Sequence, residues 1–392
     1  MRDAARLASA IEILDTVISA ARSGGAPADR ILADWFRSHR FAGSKDKHAI
    51  RELVYDAIRA CGPVPPTGRA AMVRLSKLRP ELRDLFDGSQ YGAAPIDDGE
   101  QSADGGIAPH WLEQRLAASD VGTEAASALL GRAPLDLRVN ALKSSREGIS
   151  LPESGEKLAA PHALRFPTGT RADRWKAYEQ GFVEIQDHGS QLACLATEAR
   201  PGECVIDLCA GAGGKTLALA AAMDNRGTLV AADTDRGRLS RLGPRAERAG
   251  ARIADTVLLD PGKEMQALST WKGAADRVII DAPCSGMGTW RRNPEARWRL
   301  GERELERLAA LQQRLLGVAA DLVKPGGVMT YVTCSLLDEE GAVQIDRFLA
   351  GHPDWTARRP DLPLGQPRGK GVRLTPSRDG TDGFFIACLC RA

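Results

Sequence analysis

The sequence lacks the long apolar runs of a membrane protein and the charge excess of many nucleic-acid binders. No apolar run approaches the roughly 20 residues that span a bilayer, and the N-terminal stretch carries charges at helical spacing where a signal peptide would have an unbroken apolar core. The 53 lysines and arginines nearly balance 51 aspartates and glutamates, giving a formal charge of +2, so no overall field favours nucleic acid. We therefore expect a soluble cytoplasmic protein without a membrane partner.

Paired cysteines are absent as well. The eight cysteines are scattered, with no CxxC spacing and no paired histidines, which disfavours a structural zinc site. Hydrophobic residues make up 43% and charged residues 27% of the chain, which excludes a largely disordered protein. With 392 residues the chain can bury two or three cores without metal or disulfide staples. We expect no metal, and reduced thiols that are mostly buried.

Four regions follow one another along the chain. Residues 1–85 place apolar side chains at three- and four-residue steps, which predicts a small helical domain. Residues 86–108 are rich in Gly, Asp, Ser and Ala and show no period, which predicts a linker. Residues 109–186 combine a helical stretch with the alternating strand candidate DLRVNALK, so we expect a small α+β region. Residues 187–392 are the last and longest region.

In this last region, short apolar runs alternate with helical stretches. The runs are CVIDL, TLVAAD, ARIADTVLL, DRVIID and GVMTYVT. This alternation is typical of consecutive βαβ units and predicts an α/β fold, a doubly wound and mainly parallel sheet with helices on both faces. In such a sheet the fourth strand lies between the first and the fifth, and ligands bind at the carboxyl ends of the strands. The final GTDGFFIACLCR predicts a closing strand.

A glycine-rich turn follows the first of these strands. The run VIDLCAGAGGKT leads from an apolar strand through small residues into a helix, where bare backbone can approach a nucleotide-like ligand. Its spacing matches neither a P-loop nor the dinucleotide GxGxxG motif. The next strand ends in Asp233, whose carboxylate can accept hydrogen bonds from two ribose hydroxyls. Alternatively, the run is merely a tight turn, and the nearby Asp235 is a helix N-cap.

Two thiols and a carboxylate follow the fourth and fifth strands. Asp281 ends the fourth strand, Cys284 lies in the loop after it, and Cys334 ends the fifth. Because these strands are neighbours in the predicted sheet, the three side chains should face one ligand beside the glycine-rich turn. A single cysteine is commonly a buried packing residue, but two at neighbouring strand tips favour a functional role.

These residues suit methyl transfer to a pyrimidine. Carbon 5 of the base is a poor nucleophile, but a thiolate that adds at carbon 6 creates an enamine that can attack an electrophilic methyl group. The proton on carbon 5 must then leave and the thiol be eliminated, for which a second acid or base is useful. Asp281 can hydrogen-bond the N3 and amine edge of cytosine. The residues alone do not decide which thiol is the nucleophile.

Cations and flat rings are interleaved directly after the Cys284 loop. Arg291, Arg292 and Arg297 alternate with Trp290 and Trp298. Cations for phosphates and rings for base stacking suit a flexible or single-stranded polynucleotide, so we expect these arginines to bind RNA. The alternative is a charged helix start with both tryptophans packed beneath it.

In order along the chain, VIDLCAGAGGKT, VAADTD, DAPCSGMGTWRRNPEARW and TYVTCS resemble the RsmB/NSUN family of RNA 5-methylcytosine methyltransferases. The resemblance covers residues 110–392, and the DAPCSG and TCS motifs are its most specific part. DLRVNALK is similar to the family's RNA-contacting strand, which implies RNA contacts from Arg138 and Asn140. The N-terminal helices are more weakly similar to the NusB-like domain of some bacterial members.

The resemblance implies S-adenosylmethionine as cofactor and assigns residue roles. Cys334 is implied as the nucleophile, Cys284 as the group that assists release of the methylated base, and Asp281 as a neighbour of the methyl donor. Asp233 is implied at the cofactor ribose and Asp260 near its adenine. The turn residues with an implied cofactor role are Cys209, Ala210, Gly211, Ala212, Gly213, Gly214 and Lys215. The family's usual CAAPGGK reads CAGAGGK in this chain, so the turn loses some stiffness.

We therefore expect an S-adenosylmethionine-dependent RNA (cytosine-5) methyltransferase of the Rossmann-like class I fold, a monomer that acts on rRNA in preference to tRNA. One alternative is a non-catalytic RNA-binding assembly factor, although mere binding needs neither cysteine. Another is a methyltransferase of a different RNA position, such as an exocyclic amine. Such enzymes generally show Asn or Asp followed by Pro-Pro and an aromatic residue after strand four, where this chain has DAPC.

Overall fold

The chain divides into two units, each built from two separate stretches of sequence. The structure, a computed structural model, describes all residues from 1 to 392. The helical unit consists of residues 1–130 and 290–301, and the α/β unit of residues 131–289 and 302–392. No helix in either unit is long and apolar enough to cross a membrane.

Helices and strands are numbered in chain order. The helices are α1 (Asp3–Ser23), α2 (Ala28–Ser38), α3 (Ser44–Ala60), α4 (Gly68–Leu78), α5 (His110–Ala118), α6 (Thr123–Ala128), α7 (Lys176–Glu179), α8 (His188–Thr197), α9 (Gly214–Ala222), α10 (Arg236–Leu239), α11 (Leu242–Ala249), α12 (Glu264–Ala267), α13 (Ala296–Arg299), α14 (Glu302–Leu322), α15 (Ala342–Gly351) and α16 (Pro376–Asp379). The strands are β1 (Leu135–Val139), β2 (Glu156–Lys157), β3 (Ala163–Phe166), β4 (Val183–Ile185), β5 (Cys204–Asp207), β6 (Thr228–Asp233), β7 (Asp255–Leu258), β8 (Ala275–Asp281), β9 (Val323–Thr333), β10 (Trp355–Arg358), β11 (Gln366–Arg368), β12 (Gly371–Leu374) and β13 (Phe384–Arg391).

The first four helices form the core of the helical unit because each has one apolar face. Leu7 and Leu14 of α1 and Ile50 and Ile58 of α3 are inaccessible to solvent and belong to one hydrophobic cluster. Burying each of these side chains contributes about 2 kcal/mol to stability. The apolar periodicity of the N-terminal region therefore corresponds to real helices with packed faces.

The segment predicted as a linker contains no helix or strand, but it packs against the helical unit. Phe86 and Ala103 are buried in the core of that unit. The N–H of Ala103 donates to the carbonyl of Ala70 at 3.0 Å, and the Nε of Arg69 lies 2.6 Å from the Glu100 carboxylate. Composition does not reveal such contacts. The predicted helical domain ends at residue 85, whereas the helical unit of the structure continues through residue 130.

The second stretch of the helical unit is fastened to the end of α3. The Arg297 side chain is inaccessible to solvent, and its Nη2 donates to the carbonyls of Ile58 and Cys61, both at 2.7 Å. The Trp298 indole donates to the Gly62 carbonyl at 3.1 Å. Burial lowers the pKa of Arg297 to about 10, so the guanidinium is still charged at neutral pH. These donors satisfy the carbonyls of Cys61 and Gly62 beyond the helix end, and they add to the N–H of Cys61 that reaches the Ile58 carbonyl at 3.3 Å.

The α/β unit contains a small antiparallel sheet of order β2-β3-β1-β4. Asp136 of β1 is buried, and its carboxylate accepts from the Arg165 guanidinium at 2.7 and 2.8 Å. The same carboxylate accepts from the N–H of His188, the first residue of α8, at 3.1 Å. This buried ion pair therefore ties the small sheet to the helix that precedes the large sheet.

The large sheet has nine strands, in the order β11-β12-β13-β9-β8-β5-β6-β7 with β10 paired to β13. Strands β5 to β9 run parallel to one another, and β13 lies antiparallel beside β9. The predictions of a mainly parallel sheet, of a fourth strand (β8) between the first (β5) and the fifth (β9), and of a closing strand are confirmed. Ile206, Val278 and Met329 are buried in the core between the sheet and its helices.

Replacing Arg297 with methionine should loosen the end of α3. Methionine fills much of the same volume but leaves the buried Cys61 carbonyl without a donor, at about 1 to 3 kcal/mol, and leaves the Ile58 carbonyl only the N–H of Cys61 at 3.3 Å. We expect the amides of residues 55–62 to exchange with deuterium roughly tenfold to a hundredfold faster, which corresponds to about 1.4 to 3 kcal/mol in local opening. Arg83→Met, at an exposed site of the same unit, should leave this exchange unchanged. Wild-type exchange in Arg297→Met would contradict the structural role of Arg297.

Candidate active site

The glycine-rich turn joins β5 to α9. Gly211 and Gly213 have φ angles of 55° and 86°, in the left-handed region that favours glycine. A Cβ added to Gly213 would lie 2.1 Å from Cδ1 of Leu242, so space also excludes a larger residue there. The turn thus presents bare backbone and the N-terminus of α9 at the carboxyl edge of the sheet.

Asp233, the last residue of β6, is braced against this turn. One of its carboxylate oxygens accepts from the N–H of Gly211 and the other from the N–H of Asp235, both at 2.7 Å. Each oxygen retains a lone pair for a ligand hydroxyl. The Asp235 side chain accepts from the N–H of Arg238 at 2.9 Å and so caps α10, as the alternative interpretation of Asp235 proposed.

Lys215 connects the turn to the tip of β8. Its Nζ donates to the Asp281 carboxylate at 2.6 Å. Burial by itself would lower the pKa of Lys215, but the Asp281 carboxylate more than offsets this and the pKa is raised. The ammonium is therefore fixed in its charged form, and it holds one Asp281 oxygen while the other is available to a ligand.

Cys284 and Cys334 lie side by side, with their sulfur atoms 3.4 Å apart. Cys284 is in the loop after β8 and Cys334 directly follows β9. Because these strands are parallel, with Asp281 paired to Val332, both loops leave the sheet at the same edge. The hydrogen bond to Cys334, burial and the charge of Glu340 raise the pKa of Cys284 well above its usual value. The Cys284 thiol therefore keeps its proton at neutral pH.

One cavity of about 810 Å³ collects these groups. Its wall includes Cys209 of the turn, Asp233, Asp281 and both thiols, so the structure brings together the side chains that the sequence predicted to converge. Of the turn residues, only Cys209 is part of this wall. The Ala212 carbonyl accepts from Arg245, and Ala210 is packed in the core. No group of three or more His, Cys, Asp or Glu side chains could hold a metal ion.

Asp260 differs from the other predicted cofactor contacts. It is exposed, and the cavity is lined instead by its neighbours Leu259 and Pro261. The N–H of Leu259 donates to the Asp233 carbonyl at 2.9 Å, which fixes this segment at the end of β7. A contact from Asp260 to the adenine stays a prediction, while its two neighbours provide the wall that the structure shows.

Two of the residues predicted to touch RNA lie in the small sheet and the turn after it. Asn140 is buried, and its amide donates to the carbonyls of Gly181 at 2.8 Å and Ala249 at 2.7 Å. Arg138 is also buried, opposite Glu184 on the neighbouring strand. Both side chains face the interior in this structure. An RNA contact by either one stays a prediction that requires them to become accessible.

The arginines after the Cys284 loop are also less accessible than expected. Arg297 is fully buried, Arg291 is 7% exposed, and Arg292 is half-buried. Trp290 and Trp298 are buried as well, so neither ring is available for base stacking in this structure. The arrangement resembles the alternative interpretation, tryptophans packed beneath a charged helix start, and Nη2 of Arg297 donates within the helical unit.

Several charged residues of the cavity wall were not predicted from the sequence. Arg307 and Arg314 come from α14, Arg238 from α10 and Glu264 from α12. Glu264 is buried and forms an ion pair with Arg314 at 3.0 Å. The spacing of Arg307 and Arg314 in the sequence could have indicated these two residues, because two turns of an amphipathic helix place them on the same face.

Asp207, at the end of β5, is another residue that was not predicted from the sequence. One of its oxygens accepts from the Thr216 hydroxyl at 2.6 Å, and the other is buried without a hydrogen-bond partner. Burial is the main cause that raises the pKa of Asp207 to about 7. The sequence could have indicated Asp207, because it is an acid at the end of a strand, and strand ends form the ligand-binding edge of the sheet.

Comparisons with known proteins agree on one family. Residues 194–390 match the family model described as 16S rRNA methyltransferase RsmB/F. The ribosomal RNA small subunit methyltransferase B of Erwinia tasmaniensis is 34% identical over 357 residues, which cover 87% of this chain and 80% of the relative.

Solved structures give the same fold. A methyltransferase homolog protein from Pyrococcus horikoshii has a TM-score of 0.57 and 25% identity, and the match covers 72% of this chain and 99% of that one. The crystal structure of NSun6 from the same organism has a TM-score of 0.60 and 19% identity, with 72% and 96% covered. The Rossmann-like α/β fold predicted from the sequence is thus confirmed.

Asp207 should make the stability of the protein depend on pH. Its folded-state pKa is about 7, whereas an unfolded aspartate loses its proton near pH 4. The folded state therefore binds more protons between these values, and stability falls as pH rises through this window by on the order of 3 kcal/mol. The side chain in Asp207→Asn does not titrate. Urea unfolding should therefore show that the free energy of unfolding of the variant rises relative to that of the wild type from pH 4 to pH 7.

The exposed Asp255 offers a matched control. Asp255→Asn makes the same change at the surface, and the dependence of the stability difference on pH should be larger for Asp207→Asn. An equal dependence on pH in the two variants would contradict the raised pKa of Asp207.

Proposed function

The chain belongs to the RsmB/F family of 16S rRNA methyltransferases, and we propose that it methylates carbon 5 of a cytosine through a covalent adduct with Cys334. As a member of this family it is an S-adenosylmethionine-dependent RNA methyltransferase. The observation that carries the proposal is the pair of thiols 3.4 Å apart in the wall of one cavity. Cofactor binding alone requires neither thiol.

The residues at the cavity fit S-adenosylmethionine. Gly211 and Gly213 hold the left-handed backbone of the turn, and Cys209 at its start lines the cavity. The Asp233 carboxylate is fixed by two backbone donors and retains lone pairs for the ribose hydroxyls. Leu259 and Pro261 supply an apolar wall for a flat ring. When bound, the cofactor supplies an electrophilic methyl group.

Asp281 is placed to recognise the base. Lys215 holds one of its oxygens at 2.6 Å, so the carboxylate has a fixed direction and its other lone pairs can accept from an exocyclic amine. Cytosine carries an amine donor at carbon 4, whereas uracil carries a carbonyl acceptor that a carboxylate would repel. We therefore assign the preference for cytosine to Asp281.

We assign Cys334 as the nucleophile from the resemblance of its TCS motif to the family, because the contact between the two sulfur atoms does not by itself distinguish them. The protonated Cys284 can donate its S–H to the Cys334 sulfur across 3.4 Å. The Cys334 thiol gives its proton to solvent and its sulfur adds to carbon 6, forming a carbon–sulfur bond and shifting the electron pair of the carbon 5–carbon 6 double bond onto carbon 5. With the cofactor bound, carbon 5 would use this pair to bond the methyl group, and the methyl–sulfur bond of the cofactor would break with its electron pair left on the sulfur.

Cys284 is assigned to the release step. Once Cys334 is bonded to carbon, its sulfur no longer raises the pKa of Cys284, so Cys284 can lose its proton to solvent. The Cys284 thiolate then accepts the proton on carbon 5. The electron pair of that bond restores the double bond, and the carbon–sulfur bond breaks with its pair returning to Cys334.

The substrate that we propose is rRNA, as the names of the family and its curated relatives suggest. We expect the enzyme to act in the cytoplasm and as a monomer. Among the arginines predicted to bind RNA, the half-buried Arg292 needs the least rearrangement to reach a phosphate, and we propose it as the first of them to test.

Asp233→Ala should weaken S-adenosylmethionine binding. The variant removes the ribose acceptor and one brace of the glycine-rich turn, so calorimetry should show a loss on the order of 1.5 to 3 kcal/mol. The exposed Asp255→Ala should bind like the wild type. Wild-type affinity in Asp233→Ala would remove this carboxylate from the cofactor site.

The two cysteines should fail in different ways. Cys334→Ala cannot bond to carbon 6, so methylation should be lost and no adduct should form. Cys284→Ala should still attack and transfer the methyl group but stall before elimination, which leaves protein joined to RNA. On a denaturing gel with labelled substrate RNA, a slow, protease-sensitive band should appear for Cys284→Ala and be absent for Cys334→Ala.

Cys390→Ala serves as the control, because Cys390 lies on β13 outside the cavity wall. It should methylate RNA without an accumulated adduct. The opposite pattern of bands would reverse the two assignments. Full activity in both cavity variants, without an adduct in either, would exclude the covalent mechanism.

A further inference from the structure

Glu340 is a buried carboxylate close to both thiols. It ends the short 3-10 turn Asp338–Glu340 that follows β9, and its side chain is inaccessible to solvent. A buried carboxylate is costly unless its oxygens are hydrogen-bonded. The partners of Glu340 therefore show what this carboxylate holds in place.

The Glu340 carboxylate is hydrogen-bonded to the loop that carries Cys284. One oxygen accepts from the backbone N–H of Ser285 at 2.8 Å, and the other from the Ser285 hydroxyl. Ser285 directly follows Cys284, so two hydrogen bonds to a charged acceptor fix the residue next to the thiol. Hydrogen bonds of this kind are about twice as strong as neutral ones.

The backbone of Glu340 grips the strand that carries Cys334. Its carbonyl accepts from the Tyr331 hydroxyl at 2.9 Å and from the Thr333 hydroxyl at 3.3 Å. Thr333 directly precedes Cys334. A single residue is thus hydrogen-bonded to a chain neighbour of each thiol.

Gln312 of α14 holds the residue on the other side of Cys284. Its amide donates to the Pro283 carbonyl at 3.0 Å and to the Glu340 carboxylate at 3.1 Å. The two residues that flank Cys284 are therefore both held, Pro283 by Gln312 and Ser285 by Glu340. Little freedom is left for the Cys284 backbone.

We propose that Glu340 is a positioning residue that links the Cys284 loop to the Cys334 strand and so sets the separation of the two thiols. It touches neither substrate nor cofactor in this assignment, and acts through Ser285 and Thr333. The inference rests on the proposed cysteine mechanism for its consequence in catalysis. Its structural content, the placement and charge environment of Cys284, can be tested without RNA.

The negative charge of Glu340 adds a second effect, because it disfavours the thiolate form of Cys284. The other ionisable groups around this thiol are Tyr331 of β9, Cys334 directly after β9, and Asp281 at the start of its own loop. From α14, Arg307 and Arg314 line the same cavity, while Gln312 is uncharged. Neutralising Glu340 should therefore lower the pH at which Cys284 ionises.

The test compares Glu340→Gln with Glu339→Gln, a matched change one residue earlier in the same turn. Both are made in the full chain with Cys334→Ala, so that Cys284 titrates without its partner thiol. Alkylation of Cys284 by iodoacetamide, followed by mass spectrometry from pH 6 to pH 10, reports its ionisation. For Glu340→Gln we expect a midpoint at least half a pH unit lower, which makes alkylation at neutral pH about threefold faster. Glu339→Gln should match its parent.

A second measurement uses the two intact thiols. With wild-type cysteines, Glu340→Gln should lower the rate of RNA methylation by about tenfold to a hundredfold, since small misplacements of reacting groups have effects of this size. Its affinity for S-adenosylmethionine should stay within twofold of the wild type, because the turn and Asp233 are untouched. Glu339→Gln should keep the wild-type rate.

The outcomes separate this inference from the proposed function. An unchanged alkylation midpoint in Glu340→Gln, even with a lower melting temperature, would overturn the role of Glu340. If the wild type itself does not methylate RNA, the proposed function fails, while the alkylation experiment still decides the inference. Should Glu340→Gln not fold, Ser285→Ala removes one grip on the loop, and wild-type turnover in that variant would overturn the inference.

Discussion

Strands β8 and β9 run parallel and pair regularly from Arg277 to Asp281, so that Asp281 lies opposite Val332, and the reactive edge of the molecule depends on this pairing. A parallel pair sends both chains out of the sheet on the same side. The loop with Cys284 and the turn after Cys334 are therefore neighbours before any side chain contributes. With β5 on the other side of β8, the glycine-rich turn joins them, and one cavity can contain a cofactor cradle, a carboxylate and two thiols.

The sequence determines much of this arrangement because its signals are local and repeated. Alternating apolar runs and helical stretches predict the parallel sheet, and the strand order follows from the rules of doubly wound folds. Gly211 and Gly213 predict a bare turn, and both adopt the left-handed backbone conformation that favours glycine. The convergence of Asp281, Cys284 and Cys334 could likewise be predicted, since each lies at or just beyond the tip of a neighbouring strand.

What the sequence does not reveal is which polar side chains are used inside the protein. Arg297 and Asn140 are of residue types that suit RNA contacts, but their side chains donate to backbone carbonyls that are distant in sequence. Glu340 looks like one acid among three in a row, and only the fold shows that it alone is buried between the thiol-bearing segments. Burial and long-range hydrogen bonds depend on tertiary contacts, which local patterns do not encode.

The split sequence of the helical unit has a consequence for the order of folding. Arg297 reaches the Ile58 carbonyl across 239 residues of chain, so the end of α3 acquires its last hydrogen-bond donors only after most of the α/β unit has been synthesised. Contacts this far apart close slowly, because the intervening chain must first lose entropy. The helical unit should therefore exist for a time as a nascent bundle with an unfinished edge, and its maturation is interleaved with that of the unit that carries the chemistry.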